Sequence, residues 1–251
     1  MKVLISAVGD TDPIRNFHDG ALVHIARKYR PEKIIIVFSE RTISKKDDIE
    51  KVIRSIDSQY VPEIVYHEPI ILNNEVHIFD TMFDQFDAII REYYTNDDEF
   101  ILNLSSGTPQ IKSALFVLNR LSEINVKAVQ VPSPEKKSNA GVRHDDSEDI
   151  DVLIDTNMDN KQDYVDRTIE DTSDKFKQGL IKKTLRDFIK KYDYKASLEI
   201  ANQLPDFPGL KDCRKKLQDI VDSLDRQDIP QVLQKKKWSE EQKKVLNAYL
   251  T

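Results

Sequence analysis

The sequence predicts an α/β protein, an open parallel sheet wound with helices on both faces and followed by an all-helical region. Three observations predict it. Short apolar runs bounded by turn residues, such as Val3–Val8, Lys33–Ser39 and Phe100–Leu104, have the length and content of buried parallel strands. Stretches with apolar residues at helical spacing separate them, and strict strand–helix alternation is the pattern of a doubly wound sheet. After Tyr164 only the helical period continues.

Taken in order, Val3-Leu4-Ile5-Ser6-Ala7-Val8 reads as a central strand, broken by Gly9-Asp10-Thr11-Asp12-Pro13. Phe17, Ala21, Ile25 and Tyr29 suggest the first helix, which Pro31 ends. KIIIVFS, from Lys33 to Ser39, is the clearest strand. Ile49, Val52, Ile53 and Ile56 mark a second helix, and a shorter strand follows around Glu63–His67. Ile78, Met82, Phe83, Phe86, Ile89, Ile90 and Tyr93 form the stripe of a third helix. The strand Phe100–Leu104 leads through Ser105-Ser106-Gly107-Thr108-Pro109 into a helix carrying Ile111, Ala114, Leu115 and Leu118. Val126–Val131 is a fifth strand.

From Pro132 to about Asp151 the composition turns polar and loses periodicity, which predicts a mobile surface loop. Val152-Leu153-Ile154 would be a last strand returning to the sheet. The helical region has one stripe from Phe176 to Tyr192, a second at Leu198, Ala201 and Leu204, and a third from Leu210 to Leu224. Ser239-Glu240-Glu241-Gln242 is a capping box opening a final helix with Val245, Leu246 and Tyr249. The segment Tyr194–Leu204 hints at a tetratricopeptide-like helix pair, but no fixed period recurs. The division expected is 1–155 for the sheet domain and 156–251 for the helical one.

With 251 residues and a formal net charge of −6, the chain can bury a large core and carries no basic field to gather duplex nucleic acid. Lysine pairs at 182–183, 190–191 and 215–216 and the run 235–237 invite an RNA-binding reading, but acidic residues alternate with them, as on a solvated helix face. The single cysteine, Cys213, excludes an internal disulfide and a Cys cluster for zinc, and its place in a helical stripe makes it a core residue. No apolar run reaches membrane-spanning length and the start leads into a strand, so a cytoplasmic protein is expected.

In an open parallel sheet, ligands bind beyond the carboxyl ends of the strands where strand order reverses, and the first and fourth strands usually flank that point. The loops concerned are Gly9-Asp10-Thr11-Asp12-Pro13 and Ser105-Ser106-Gly107-Thr108-Pro109. Both carry a glycine and hydroxyls and both lead into a helix, where unpaired N–H groups and the helix dipole favour an anion. Ser, Thr and Gly also cap helices, but two such loops converging on one crevice point to a phosphate or nucleotide ligand. A G-x-G-x-x-G fingerprint is absent, with Gly9 alone after the first strand, and there is no Walker loop. Asp10 and Asp12 would suit metal or phosphoacceptor chemistry as well as helix capping. Beside ligand phosphates an acidic pair needs a metal, and Asp12, directly before Pro13, reads as a cap.

The loop S-x-V-G-D-T-D-P, with N-L-S-S-G-T-P-Q after the fourth strand, resembles the CARF domain, the CRISPR-associated Rossmann fold. More closely it is similar to the accessory ribonucleases of type III-A CRISPR systems. Asn103, Ser105, Gly107, Thr108, Pro109 and Gln110 match one form of that family's later-strand motif, with Ser106 at a frequent glycine.

The resemblance implies a homodimer that holds a cyclic oligoadenylate, a ring of six or four adenylates, across its two-fold axis, with no metal and no other cofactor. It implies ligand contacts from Gly9, Asp10 and Thr11, from Ser105, Ser106, Gly107, Thr108 and Gln110, and from Asp80. In several relatives the sensor slowly cuts its own ring: the ribose 2′-hydroxyl attacks the adjacent phosphodiester, and Thr108 is the residue expected to act there. Neither loop carries a histidine. The family's main activity, RNA cleavage by a C-terminal HEPN domain, has the signature Arg, four to six residues, His. None of His18, His24, His67, His77 and His144 has an arginine at that offset, so a chain lacking the nuclease domain is expected. The competing reading is a nicotinamide- or nucleoside-processing enzyme on the same sheet, and a third is an adaptor that binds a protein through its helices.

Overall fold

The computed structural model describes residues 1–121, 126–133, 149–225 and 239–242. They divide into two compact units, Met1–Thr172 and Ser173–Thr251.

The first unit is built on a six-stranded sheet of order β5-β4-β1-β6-β7-β8. Its strands are β1 (Lys2–Ala7), β4 (Lys33–Ser39), β5 (Glu63–Ile71), β6 (Glu99–Asn103), β7 (Val126–Gln130) and β8 (Ile169–Glu170). All pair in parallel except β8, which lies antiparallel to β7 through Val129↔Glu170 and Gln130↔Ile169. The helices are α1 (Ala21–Tyr29), α2 (Lys46–Ser55), α3 (Phe79–Tyr93), α4 (Pro109–Leu121) and α5 (Ile150–Thr156). This is the expected doubly wound order. β1 and β6 are neighbours with opposite continuations, so a crevice opens at their carboxyl ends.

Alternation along the strands sorts the core into two layers. Val3, Ile5 and Ala7 of β1, with Phe100 and Leu102 of β6, face Met82, Phe86 and Ile90 of α3 and Leu115 of α4. Leu4 of β1, Ile34, Ile36 and Phe38 of β4 and Ile101 of β6 face α1 and α2. Phe100 is fully buried and central to the first layer. Phe100→Ala is therefore expected to lower unfolding stability by about 3–5 kcal/mol. Urea unfolding monitored by circular dichroism would measure it, and a loss below about 1 kcal/mol would contradict this packing.

Several local expectations are corrected. The predicted first helix does not include Phe17. Residues 14–19 form a hairpin of β2 (Ile14–Arg15) and β3 (His18–Asp19), whose turn places Asn16 and Phe17 at φ 51° and 62°. Val152-Leu153-Ile154 is not a strand but the middle of α5, packed by Leu153 and Ile154 against the α1–α2 layer. The strand that returns to the sheet is the two-residue β8. Residues 156–172 accordingly belong with the sheet, and the division falls after Thr172, not after 155. The expected polar loop lies mostly outside the described residues, but its last two positions, Ile150 and Asp151, open α5.

In the second unit α6 (Asp174–Lys190), α7 (Tyr194–Gln203) and α8 (Leu210–Asp225) pack around Leu185, Ala201, Leu204, Leu210 and Leu217. Cys213 is half-buried at the edge of this cluster. Asp193 caps α7 by accepting the Ala196 N–H at 3.1 Å. Lys190, Lys191, Lys215 and Lys216 are exposed, as on a solvated face. The Ser239 capping box is present, with Gln242 N–H donating to Ser239 Oγ at 3.2 Å. Val245, Leu246, Tyr249 and Lys235–Lys237 lie outside the described residues.

Candidate functional site

The loops after β1 and β6 meet. A Cβ built on Gly9 would lie 3.2 Å from the Gly107 nitrogen and 3.4 Å from Ser106 Cα, so only glycine allows this approach without displacing backbone. The pin between the loops is Asp12, which is buried. One carboxylate oxygen accepts from Ser106 Oγ at 2.7 Å and from the Gly9 N–H at 2.9 Å, and the other accepts the Leu22 N–H in the first turn of α1 at 3.0 Å. Burial raises the Asp12 carboxyl above its ordinary value, against the pull of these hydrogen bonds and of the Lys45 charge. The expected capping role of Asp12 is thus seen, joined to a second role as the link to the β6 loop.

Asn103 completes the junction. Its amide donates to Ser6 Oγ at 2.8 Å and Ser106 Oγ at 2.9 Å, and its carbonyl oxygen accepts the Ser105 N–H at 2.8 Å. Gly107 takes φ +92°, a left-handed conformation that turns the chain into α4. Thr108 caps α4, its hydroxyl accepting the Ile111 N–H at 3.3 Å while donating to the Val76 carbonyl at 2.8 Å. Thr108 so ties the β6 loop to the segment between β5 and α3.

Beyond the two loops lies a cavity of about 890 Å³. Of the residues expected from the sequence, Gly9, Asp10, Thr11, Ser105, Gly107 and Thr108 line it. Ser105 accepts the Val131 N–H on its hydroxyl oxygen at 2.7 Å, which leaves its proton to donate. Ser106 is not in the lining, because its buried hydroxyl serves the Asp12–Asn103 junction. Gln110 is also outside the lining, and its Oε1 is buried with no partner among the described residues. Asp80 stands exposed on the first turn of α3, away from the lining. Asp10 is exposed and paired with Arg41 at 3.2 Å.

The structure adds cavity residues that the loop motifs did not reveal. Lys112, one turn into α4 from Thr108, brings an ammonium, and helical spacing from Thr108 could have indicated it. Asn73 and His77 come from the segment after β5, and Arg15 and Asn16 from the hairpin that the sequence disguised as helix. Arg167 comes from far along the chain, donating to the Pro132 carbonyl at 2.8 Å, the Asp19 carbonyl at 2.8 Å and Asp159 at 3.0 Å.

Asp19, His24 and Asp159 lie close enough to one another to be considered as metal ligands. Their acceptors are already engaged. Asp19 takes Arg27 Nε at 2.6 Å and Asn157 Nδ2 at 2.7 Å, Asp159 takes Arg167 and the Asp19 N–H, and His24 Nε2 takes the Arg167 N–H at 3.0 Å. Burial opposes ionisation of Asp159, but hydrogen bonds from His24 and His18 outweigh it and hold the carboxyl below its ordinary value. The group is an ion-pair knot that fastens residues 157–167 to α1 and the hairpin.

Residues 63–168 match the model of the Cas_Csm6 CARF domain. Over its full length the chain is 62% identical to the CRISPR system endoribonuclease Csm6′ of Streptococcus thermophilus and 45% identical to the endoribonuclease Csm6 of the same organism. It spans 65% and 59% of those two proteins. Among solved structures, Enterococcus italicus Csm6 bound to cyclic hexa-2′-fluoro-hexa-dAMP superposes with a TM-score of 0.64 at 26% identity, over 90% of this chain and 56% of that one. Loop sequences, strand order and these likenesses agree: the chain is similar along its whole length to Csm6 proteins, and residues 63–168 match their CARF domain.

Proposed function

We propose that the cavity between the β1 and β6 loops binds a cyclic oligoadenylate, and that this chain is the sensor part of a CRISPR type III-A endoribonuclease used in antiviral defence. The observation that carries the reading is the meeting of two glycine-containing loops from adjacent parallel strands at one cavity, with Lys112 in its wall. Backbone N–H groups at Asp10, Thr11, Gly107 and Thr108 would hold phosphate oxygens, and Ser105 would donate to ribose or base. The ring-bound state of the Enterococcus relative supports the choice of ligand.

Two copies of the chain would share one ring. A ring of identical nucleotides is itself symmetric, so a two-fold pair of cavities offers the same contacts to opposite sides of it. Leu72, Ile78 and Phe79 are large apolar side chains exposed beside the cavity residues Asn73, Val76 and His77, and such a face suits a second copy.

Slow cleavage of the ring would need little beyond alignment. The 2′-oxygen attacks phosphorus as the bond to the 5′-oxygen breaks, the 5′-oxygen takes a proton, and a 2′,3′-cyclic phosphate remains. The Thr108 hydroxyl donates to Val76 and accepts from Ile111, so one lone pair is left to accept the 2′-hydroxyl and hold it in line.

Calorimetric titration tests the reading. The wild-type chain is expected to bind cyclic hexa- or tetra-adenylate at one ring per two chains and to bind NAD weakly or not at all. Thr108→Ala is expected to slow ring cleavage at least tenfold, roughly what loss of one aligning hydrogen bond costs. A chain that binds neither ring, or prefers NAD, would contradict the reading.

A further inference from the structure

Lys45, behind the first loop, has no place in the cavity wall. It lies in the short 3₁₀ turn Ile43–Lys45 that follows β4, and it is half-buried. Its ammonium donates to three main-chain carbonyls of the β1 loop: Gly9 at 3.3 Å, Asp10 at 3.0 Å and Asp12 at 2.8 Å. Three donors on one nitrogen meet three acceptors gathered on one side of the loop.

That arrangement fixes what the other side of the loop presents. The Gly9–Asp10 and Asp10–Thr11 peptides are trans, and in a planar trans peptide the C=O and N–H point in opposite directions. Holding the Gly9 and Asp10 carbonyls on Lys45 therefore aims the Asp10 and Thr11 N–H groups away from it. Gly9, Asp10 and Thr11 all line the cavity, and among the described residues neither of those two N–H groups has a protein partner. A neutral side chain at 45 would leave the carbonyls to water, and the two peptide planes would be free to turn.

We infer that Lys45 is a positioning residue for the anion site: it draws the carbonyls of the β1 loop to one side so that the Asp10 and Thr11 N–H groups face a ligand phosphate. The inference rests on the ring-binding reading above and adds to it a cationic residue that acts without touching the ligand. A lysine is suited to the place, because the forked guanidinium of arginine could not bring its donors to one point.

The test uses the full chain labelled with ¹⁵N, cyclic hexa-adenylate and cyclic tetra-adenylate as probes, and the variants Lys45→Met and Lys45→Gln. In the wild type, the ring should shift the Asp10 and Thr11 amide resonances strongly. In both variants those shifts should be lost and ring affinity should fall about tenfold, the worth of a charge-assisted hydrogen bond. Should Lys45→Met fail to fold, Lys45→Gln, polar but shorter and with two neutral donors for three carbonyls, carries the test. Folded variants that bind within about threefold of wild type overturn the inference. So does lost affinity with the Asp10 and Thr11 shifts intact, which would mean that Lys45 meets the ring itself. A wild-type chain that binds neither ring instead overturns the reading of the cavity on which the inference rests.

Discussion

Gly107→Val is expected to abolish binding of cyclic hexa-adenylate, weakening it about a hundredfold or more, while the sheet still folds. Gly107 sits at φ +92°, where a β-branched residue is strained. Its new Cβ would lie 3.0 Å from Ile111 Cγ2 and 3.1 Å from Ala7 Cβ, both in the packed wall of the core. The loop must then move, and the Thr108 N–H and the start of α4 move with it. Gly9 packs closely on the other side, since even a Cβ added there would lie 3.2 Å from the Gly107 nitrogen. Calorimetry beside a thermal melt separates the two effects. A variant that binds the ring as the wild type does would show that the β6 loop is not part of the site.

The second large effect is expected at Asp12, which the ligand need not touch. Asp12→Ala leaves Gly9 N–H, Leu22 N–H and the Ser106 hydroxyl without their buried acceptor. Stability should fall by on the order of 3 kcal/mol, roughly 6–12 °C in melting temperature, and ring binding should be lost with the loop junction. A charge dependence accompanies it. Because burial raises the Asp12 carboxyl in the folded chain, that chain holds the proton to higher pH than the unfolded one. The stabilising contribution is thus present below the unfolded value, about pH 4, and is lost as pH rises through the raised one. Measured by urea unfolding, the advantage of the wild type over Asp12→Asn should be greatest near pH 4 and shrink toward pH 8. An advantage that grows with pH would mean that the hydrogen bonds and the Lys45 charge outweigh burial and keep the carboxylate charged at the junction.

What the sequence disclosed and what it hid divide along physical lines. Strands such as Lys33–Ser39 are buried on both faces, so their apolar runs are continuous and announce themselves. The two loops were legible because glycine, hydroxyls and a following helix are a local pattern. Residues 14–19 misled because apolar side chains at helical spacing do not report backbone sign, and Asn16 and Phe17 take positive φ in a tight hairpin. Val152–Ile154 misled because three apolar residues suit a short helix as well as a strand. β8 is too short to leave a pattern.

The site shows the same split. Gly9, Gly107 and Thr108 could be named from their loops. That the Ser106 hydroxyl turns inward to Asp12 depends on a partner 94 positions away. Lys45 and Arg167 reach the site only through the fold, since neither belongs to a motif and their partners are carbonyls and a distant ion-pair knot. Asp80 was drawn in by resemblance, and the structure leaves it outside the cavity wall.

The most direct test of the account is a crystal structure of the chain with cyclic hexa-adenylate. It should show one ring on a two-fold axis between two chains, its phosphates within hydrogen-bond reach of the Asp10, Thr11, Gly107 and Thr108 N–H groups. A ring bound away from the crevice between β1 and β6, or held with those N–H groups facing elsewhere, would contradict it.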